Sequence, residues 1–159
     1  MRRITLGKRE LFNLLTSLIG DFLKDRLKAI VVFGSMIYLG RGNDLDLTIV
    51  IDSLDTLKEK FNLESKISQI LRREFPDYNF DIHVFSVEEF KGNLSPGSFL
   101  SGLALGYEVI YDKVDLESEI LSFLKRLSEE KYLLHNKYGT WNLSFHAKIT
   151  YRLKRKVKF

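Results

Sequence analysis

The feature that most constrains the fold is a pair of apolar runs joined by a short link. The stretch from Val31 to Ile51 reads VVFGSMIYLGRGNDLDLTIVI. Both runs are rich in β-branched residues, which is typical of buried strands. A parallel connection needs a dozen or more residues, and the link over residues 35–43 is shorter than that. We therefore predict that these two strands pair antiparallel.

The rest of the chain alternates helical and strand patterns. Apolar residues at helical spacing predict amphipathic helices, and short β-rich runs predict further strands. The signal is weakest near the C-terminus, where residues 137–142 are predicted to be a loop and residues 145–159 fit either a strand or a helix. The predicted elements are helices over 8–27, 57–75 and 115–134, strands over 29–33, 46–51, 79–85 and 107–111, a short helix after Ser86 and a helical turn over 99–105. This order predicts an α/β (α+β) fold with a short mixed sheet flanked by helices.

Composition limits the classes of protein to be considered. A length of 159 residues, 45% of them apolar, suggests one domain with a packed core. No apolar run is long enough for a membrane span, and the N-terminus lacks a signal-peptide pattern, so we expect no membrane partner. The chain has no cysteine, which excludes disulfides and thiolate sites and fits a cytoplasmic protein.

Positive charge is concentrated at the C-terminus. Residues 148–159 hold six basic residues and no acidic one, and the remainder has 19 basic against 21 acidic residues. Such a tail is either a solvated terminus or a contact for nucleic acid or an acidic partner. Both interpretations stay open at this point.

Three aspartates stand at the heads of apolar strands. Residues two apart in a strand face the same side, so Asp44 and Asp46 are expected to project together while Leu45 and Leu47 enter the core. Asp81 opens the third strand and would lie beside them if the two strands pair. Carboxylates this close repel each other, and a divalent cation such as Mg²⁺ or Mn²⁺ would offset the repulsion. Three carboxylates could hold two metal ions for in-line attack on phosphorus.

A Gly-Ser pair supplies a second element of the expected site. Gly34 and Ser35 follow the first strand and open a short turn, where backbone N–H groups and the Ser35 hydroxyl could bind phosphate. Each of these pieces is common by itself as an ordinary turn or a solvated strand end. Their ordered combination predicts one site that holds both phosphates and the metal that neutralises them.

The ordered motifs FGS, DLDL and FDIHV resemble those of the DNA polymerase β-type nucleotidyltransferase superfamily, in particular its minimal, antitoxin-like members. The resemblance covers roughly residues 8–112. It implies a nucleotidyltransferase domain over 1–112, a C-terminal helix packed on it over 113–136, and a basic tail over 137–159. It also implies transfer of a nucleoside monophosphate, AMP from ATP, to an acceptor hydroxyl. In that scheme Gly34 and Ser35 contact the triphosphate, Asp44 and Asp46 bind both metal ions, and Asp81 completes the catalytic metal site.

The chain departs from the family pattern in the turn after Ser35. Leu39 stands where the family usually has Gly, Gly40 follows it, and Arg41 is the residue that could take the place of the family's basic group near the phosphates. The resemblance further implies a separate HEPN-type partner protein as the acceptor. The apolar turn and a sheet edge are candidate surfaces for a homodimer.

Two alternatives remain open from the sequence. His83 follows Asp81 by two residues, and it is either a structural or surface histidine or part of the site. The whole domain could also be a non-catalytic binding module that neutralises a toxin or contacts nucleic acid through its basic tail.

Overall fold

A computed structural model describes residues 6–137 and 139–157, and its centre is a four-stranded sheet. The strands are β1 (Leu27–Phe33), β2 (Asp44–Ile51), β3 (Asn79–Ser86) and β4 (Glu108–Asp112), in the spatial order β3-β2-β1-β4. β1 pairs antiparallel with β2 and with β4, whereas β2 and β3 are parallel. The predicted antiparallel pairing of the first two strands and the mixed sheet are therefore confirmed.

The two central strands are apolar because helices cover both faces of the sheet. On one face lie α1 (Lys8–Leu23) and α3 (Leu57–Glu74), which bury residues such as Leu11, Leu15 and Leu71 against β1 and β2. α3 is the crossover that makes β2 and β3 parallel. It begins where the Thr56 hydroxyl accepts a hydrogen bond from the Glu59 N–H at 3.1 Å.

The other face of the sheet carries the C-terminal half of the chain. α4 (Val87–Gly92), a 3₁₀ segment (Phe99–Leu105), α5 (Leu116–Ser128) and α6 (Leu143–Val157) form a second core there. α6 resolves the open prediction for residues 145–157 in favour of a helix, and residues 158 and 159 lie outside the described residues. The Thr150 hydroxyl, which is buried, donates to the Ala104 carbonyl at 2.8 Å and joins α6 to the 3₁₀ segment.

The predicted loop over 137–142 is wrong for residues 139–142, while Lys137 is in a turn and residue 138 lies outside the described residues. The predicted extension of α5 to residue 134 is also wrong. α5 ends at Ser128, and the following residues form a hairpin of β5 (Leu133–Asn136) and β6 (Gly139–Asn142). The apolar pair Leu133-Leu134 continued the helical pattern of α5 in the sequence, although it belongs to β5. Gly139, at a φ of +127°, has the conformation that allows the chain to reverse.

Two lysines link the ends of the chain to the edge of the sheet. The Glu108 carboxylate of β4 lies 3.4 Å from Nζ of Lys8 in α1 and 3.5 Å from Nζ of Lys154 in α6. Lys154 also lies over the ring of the buried Tyr107, at 4.7 Å from its centroid. Within the described ranges, no helix has the length and apolar character needed to cross a membrane.

Candidate functional site

The two aspartates of β2 share one side of the strand, as the alternation of the sequence predicts. Leu45 and Leu47 between and after them are buried, while Asp44 and Asp46 are only partly covered. The rest of β2, from Leu47 to Ile51, is fully buried. The strand therefore supplies a rigid mount for two carboxylates at its N-terminal end.

Asp81 joins this pair through the register of the sheet. It is the direct partner of Asp46 in the parallel pairing of β2 and β3. Its side chain is 67% exposed, and Nε2 of His83 lies 3.2 Å from its carboxylate. The His83 ring packs on Phe99 with 4.2 Å between centroids. The structure thus places His83 at the site, in contact with Asp81 and supported from behind by an aromatic ring.

Gly34 packs directly against Asp46, and only glycine fits there. Its φ is +103°, and a Cβ atom would lie 2.6 Å from Oδ2 of Asp46 and 3.2 Å from the Asp46 nitrogen. The Gly34 carbonyl accepts hydrogen bonds from the Ile37 and Tyr38 N–H groups at 3.0 and 3.1 Å. These bonds begin the short helix α2 (Ser35–Tyr38), and they place Ser35 beside the aspartates.

The predicted residues converge on one cavity of about 650 Å³. Its lining residues come from α2, β2, β3 and the turn of the β5–β6 hairpin. They are Ser35, Tyr38, Asp44, Leu45, Asp46, Asn79, Phe80, Asp81 and Lys137. Arg41 is not among them, and it is exposed on the loop between α2 and β2. A cavity of this volume falls in the range of sites for small molecules.

The apolar turn after Ser35, which the sequence offered as a candidate dimer surface, is partly buried within this chain. Met36 and Ile37 pack against the core formed by α1, α3 and the sheet. The ring of Tyr38 meets that of Trp141 in an edge contact at 5.7 Å between centroids. Within this chain, the apolar residues of the turn therefore hold it between the core and the hairpin.

The electrostatics of the cavity oppose ionisation of Asp46. Burial is the main cause that raises the pKa of Asp46 to about 6, and the neighbouring carboxylates of Asp81 and Asp44 add to it. His83 and Lys137 act in the opposite direction. Asp44 is held differently, since Nδ2 of Asn79 donates to it at 3.1 Å and Nζ of Lys137 lies 3.9 Å away.

The donor set suits a hard divalent cation, although the side chains are not gathered around one point. Among the described residues, no three His, Cys, Asp or Glu side chains are arranged so that they could hold a metal ion. The chemistry nevertheless fits, because three carboxylates line one cavity, and burial together with their mutual repulsion raises the pKa of Asp46. A divalent cation would relieve that repulsion.

Sequence reasoning missed three polar residues that line the cavity, Tyr38, Asn79 and Lys137. Asn79 and Tyr38 flank motifs that were recognised, but they carry no signal of their own. Lys137 lies far along the chain, and only the Gly139 that follows it, flanked by short runs on each side, could have indicated a hairpin.

Comparison with known proteins agrees with this architecture. Residues 19–94 match the family described as Polymerase beta, Nucleotidyltransferase. This range contains β1, β2 and β3 and therefore every strand that contributes an aspartate to the cavity. A search of curated proteins found no match.

Solved structures resemble the chain in fold at low sequence identity. A chain from a tri-AMPylated Shewanella oneidensis HEPN toxin in complex with MNT antitoxin is 14% identical, with a TM-score of 0.50, over 77% of this chain and 88% of that chain. Spectinomycin adenyltransferase from Enterococcus faecialis, solved with ATP and spectinomycin, is 17% identical, with a TM-score of 0.48, over 77% and 66%. The first similarity supports the nucleotidyltransferase fold.

Proposed function

Because this chain carries a polymerase beta-type nucleotidyltransferase domain, we propose that it transfers AMP from ATP to an acceptor hydroxyl group in a reaction that depends on Mg²⁺ or Mn²⁺. One observation carries the proposal. Asp44, Asp46 and Asp81 line a single cavity together with Ser35, and Gly34 packs against Asp46 beside it. A scaffold has no need to gather three carboxylates in one cavity, because their charges repel one another.

The proposed reaction is a substitution at the α-phosphorus of ATP. The acceptor oxygen forms a bond to this phosphorus, and the bond from the phosphorus to the oxygen that bridges to the β-phosphate breaks. Pyrophosphate leaves with the bridging oxygen. The proton of the acceptor hydroxyl passes to a carboxylate oxygen of Asp81, which is the more exposed of the two paired aspartates and so the more accessible to an acceptor.

Each residue has a role in this scheme. Asp44 and Asp46 would hold two metal ions and Asp81 would share one, and the ions would stabilise the negative charge that develops on the phosphates. Ser35 would donate its hydroxyl to the triphosphate, with Gly34 allowing the close approach of backbone and carboxylate. Arg41, on the exposed loop before β2, would contact a phosphate only by reaching over the rim of the cavity.

We propose a protein as the acceptor, specifically a separate HEPN-type partner. The solved structure with the TM-score of 0.50 is a complex of a nucleotidyltransferase-fold antitoxin and an AMPylated HEPN toxin. The open cavity and the exposed Asp81 are compatible with an acceptor side chain that enters from another protein. The proposal places the reaction in the cytoplasm.

The first test is calorimetric binding of ATP with Mg²⁺ to wild type and to Asp44→Asn/Asp46→Asn. We expect metal-dependent binding that is lost in the double variant, because the carboxylates that would hold the metal are gone. Asp21→Asn/Asp55→Asn, which removes two exposed carboxylates elsewhere, is the matched control and should bind as wild type does. Folded wild-type protein that binds no nucleotide with either Mg²⁺ or Mn²⁺ would overturn the proposal.

A second candidate function is binding without catalysis, and the outer face of α6 favours it. Phe145, Ile149 and Leu153 recur every four residues, so they form one stripe, and they are 57%, 40% and 59% exposed. The opposite face of the helix packs on the body through Ala147 and Thr150. An exposed apolar stripe on a surface helix is typical of a protein-binding surface.

The charges beside the stripe indicate the chemistry of its partner. They are the exposed basic residues Lys148, Arg152, Arg155 and Lys156. Their positive charge complements an acidic amphipathic helix better than a second copy of this helix, which would repel it. In this alternative, a HEPN-type protein binds the stripe and the cavity plays no part.

The two functions differ in which variants affect partner binding. If the protein is only a binding module, Ile149→Gln/Leu153→Gln abolishes binding of a HEPN-type protein and Asp44→Asn/Asp46→Asn leaves it unchanged, with or without chelator. Labelled single-stranded RNA serves as the competing probe for the basic residues. Strong RNA binding that falls steeply with salt would assign the face to nucleic acid instead.

A further inference from the structure

The β5–β6 hairpin brings a lysine from outside the matched family region to the carboxylate cavity. Lys137 lies at the turn of this hairpin, 43 residues after the end of the 19–94 match. It lines the same cavity as Ser35, and its Nζ lies 3.9 Å from Oδ2 of Asp44. Of the described residues that line the cavity, Lys137 alone is cationic.

The hairpin is held in place from both sides, so the position of Lys137 follows from packing. Trp141 of β6 meets Tyr38 of α2, the helix that begins at Ser35. At its base, the Leu143 N–H donates to the Tyr132 carbonyl at 2.8 Å, and the Tyr132 N–H donates to the Ser144 hydroxyl at 3.0 Å. The hairpin thus connects the turn that follows β1 to the start of α6.

The contact between Lys137 and Asp44 contributes little to folding. The Lys137 side chain is 73% exposed, and exposed ion pairs contribute about 0 to 1 kcal/mol. This ion pair is therefore a weak reason for a cation at this point. A reason exists in a bound state, because ATP brings about four negative charges into a cavity that already holds three carboxylates, and metal ions take up only part of that charge.

We propose that Lys137 binds the triphosphate of ATP, a role that the sequence assigned to Arg41. This inference rests on the proposed function, since it requires ATP in the cavity. Lys137 reaches the same space as Ser35, whereas Arg41 does not line it. With Asp44 holding a metal ion, the ammonium group of Lys137 would be available to the phosphate oxygens of ATP. The hairpin then closes the phosphate site with a residue that the matched family region does not contain.

The test compares binding of ATP, ADP and AMP, each with Mg²⁺, to wild type and to Lys137→Met. The variant keeps the length of the side chain and removes its charge. We expect ATP to bind about tenfold or more weakly to the variant, as the loss of one charge-assisted hydrogen bond predicts. AMP binding should change by less than about twofold, because AMP lacks the phosphates that the lysine would contact.

Three further measurements separate this role from a structural one. Lys137→Arg should recover most of the ATP affinity. Lys131→Met, which removes an exposed lysine that does not line the cavity, should leave the affinity unchanged. Mg²⁺ alone should bind to Lys137→Met at least as tightly as to wild type, because the cation beside Asp44 has been removed.

Each outcome decides a different claim. Unchanged ATP binding by Lys137→Met, with wild type binding normally, overturns the role of Lys137 and leaves the proposed function intact. Equal weakening of ATP and AMP also overturns it, since the lysine would then act through the shape of the cavity. If wild type binds no ATP, the proposed function fails and the inference fails with it.

Discussion

The two ends of β2 hold acidic residues in opposite ways. At the C-terminal end, Asp52 and Glu59 of α3 surround Arg26, whose guanidinium lies 3.1 Å from one carboxylate and 2.8 Å from the other. At the N-terminal end, Asp46 is the strand partner of Asp81 and lies on the same side as Asp44, while His83 and Lys137 oppose the effect of these carboxylates. The same strand therefore ends in an ion-pair network around one arginine on one side and in a cluster of three carboxylates on the other.

The pKa values express this difference. Burial by itself would raise the pKa of Asp52, but hydrogen bonds from the Ser53 N–H and from Arg26 lower it below its usual value. The hydrogen bond from the Asp55 N–H and then that from Arg26 lower the pKa of Glu59. The pKa of Asp46 is instead raised to about 6 by burial and by the carboxylates beside it. Asp52 and Glu59 thus have an arginine that favours their ionised form, whereas Asp46 lies where burial and neighbouring carboxylates oppose its charge, as is typical of functional sites.

The largest expected effect on stability and ATP affinity comes from a substitution of Gly34, at the cavity end of β2. In Gly34→Ala, the positive φ and the overlap of the new Cβ with Asp46 should cost about 1 to 3 kcal/mol of unfolding free energy. The displaced Asp46 carboxylate should also lower ATP affinity by about tenfold or more. Urea denaturation and calorimetry measure the two effects.

Gly40→Ala is the matched control for this change. Gly40 also has a positive φ, of +67°, but a Cβ there meets no atom within 4 Å. We expect it to lose some stability from backbone strain and to keep its nucleotide affinity. Equal loss of ATP binding in the two variants would contradict the role given to Gly34.

The second-largest effect is a pH dependence of the unfolding free energy that arises from Asp46, at the same end of β2. Because the pKa of Asp46 is higher in the folded protein than in the unfolded chain, its contribution favours the folded state at acid pH. That contribution is lost as the pH rises from about 4 through about 6. The full shift corresponds to about 3 kcal/mol, and solvent screening of this partly exposed group leaves about 1 kcal/mol.

Asp46→Asn tests this sign directly. In the presence of a chelator, we expect the variant to be more stable than wild type at pH 7 by about 1 kcal/mol, and no more stable at pH 4. With Mg²⁺ present, the wild type should gain stability and the variant should not. A variant less stable than wild type at pH 7 without metal would show that Asp46 has a partner that offsets its charge.

The smallest effect is expected at the paired end. Arg26→Met leaves Asp52 and Glu59 without their shared cation, and since both groups are partly exposed to solvent we expect only a small drop in the urea midpoint at pH 7. Both carboxylates have lowered pKa values, so the drop should be present above about pH 4 and should vanish below it as they protonate. Nucleotide affinity should not change.

Lys66→Met, which removes an exposed cation from the surface of α3, controls for the change in net charge. A loss of nucleotide affinity in Arg26→Met would contradict the separation of the two ends.

Local patterns in the sequence were enough to predict the sheet and the aspartates. The short link between β1 and β2 left antiparallel pairing as the geometric solution, and the alternation of Asp44, Leu45, Asp46 and Leu47 predicted which side chains point outward. Asp81 was expected beside Asp44 and Asp46 only if the two strands pair, and the parallel pairing of β2 and β3 makes it the direct partner of Asp46. These predictions needed only two rules: side chains alternate between the two faces of a strand, and a parallel connection needs a minimum length.

The hairpin escaped prediction because its determinants are not local. β5 and β6 have four residues each, too few to establish an alternating pattern, and Leu133 is exposed although it is apolar. The contact of Trp141 with Tyr38 joins residues about a hundred positions apart, which no sequence window contains. For the same reason Lys137 was not predicted as a site residue. Arg41 was predicted to lie near the phosphates because it is close to the motifs in sequence.

The cavity forms only when β2 and β3 pair in the correct register. Asp46 and Asp81 are direct partners, so a slip of one residue would place Phe80 or Ile82 opposite Asp46 and turn Asp81 to the other face of the sheet. A ligand that bridges the two carboxylates can bind only the chain whose strands have paired correctly. Its binding free energy therefore stabilises only the correctly paired chain. By mass action, the ligand shifts the equilibrium from mispaired chains to correctly paired ones.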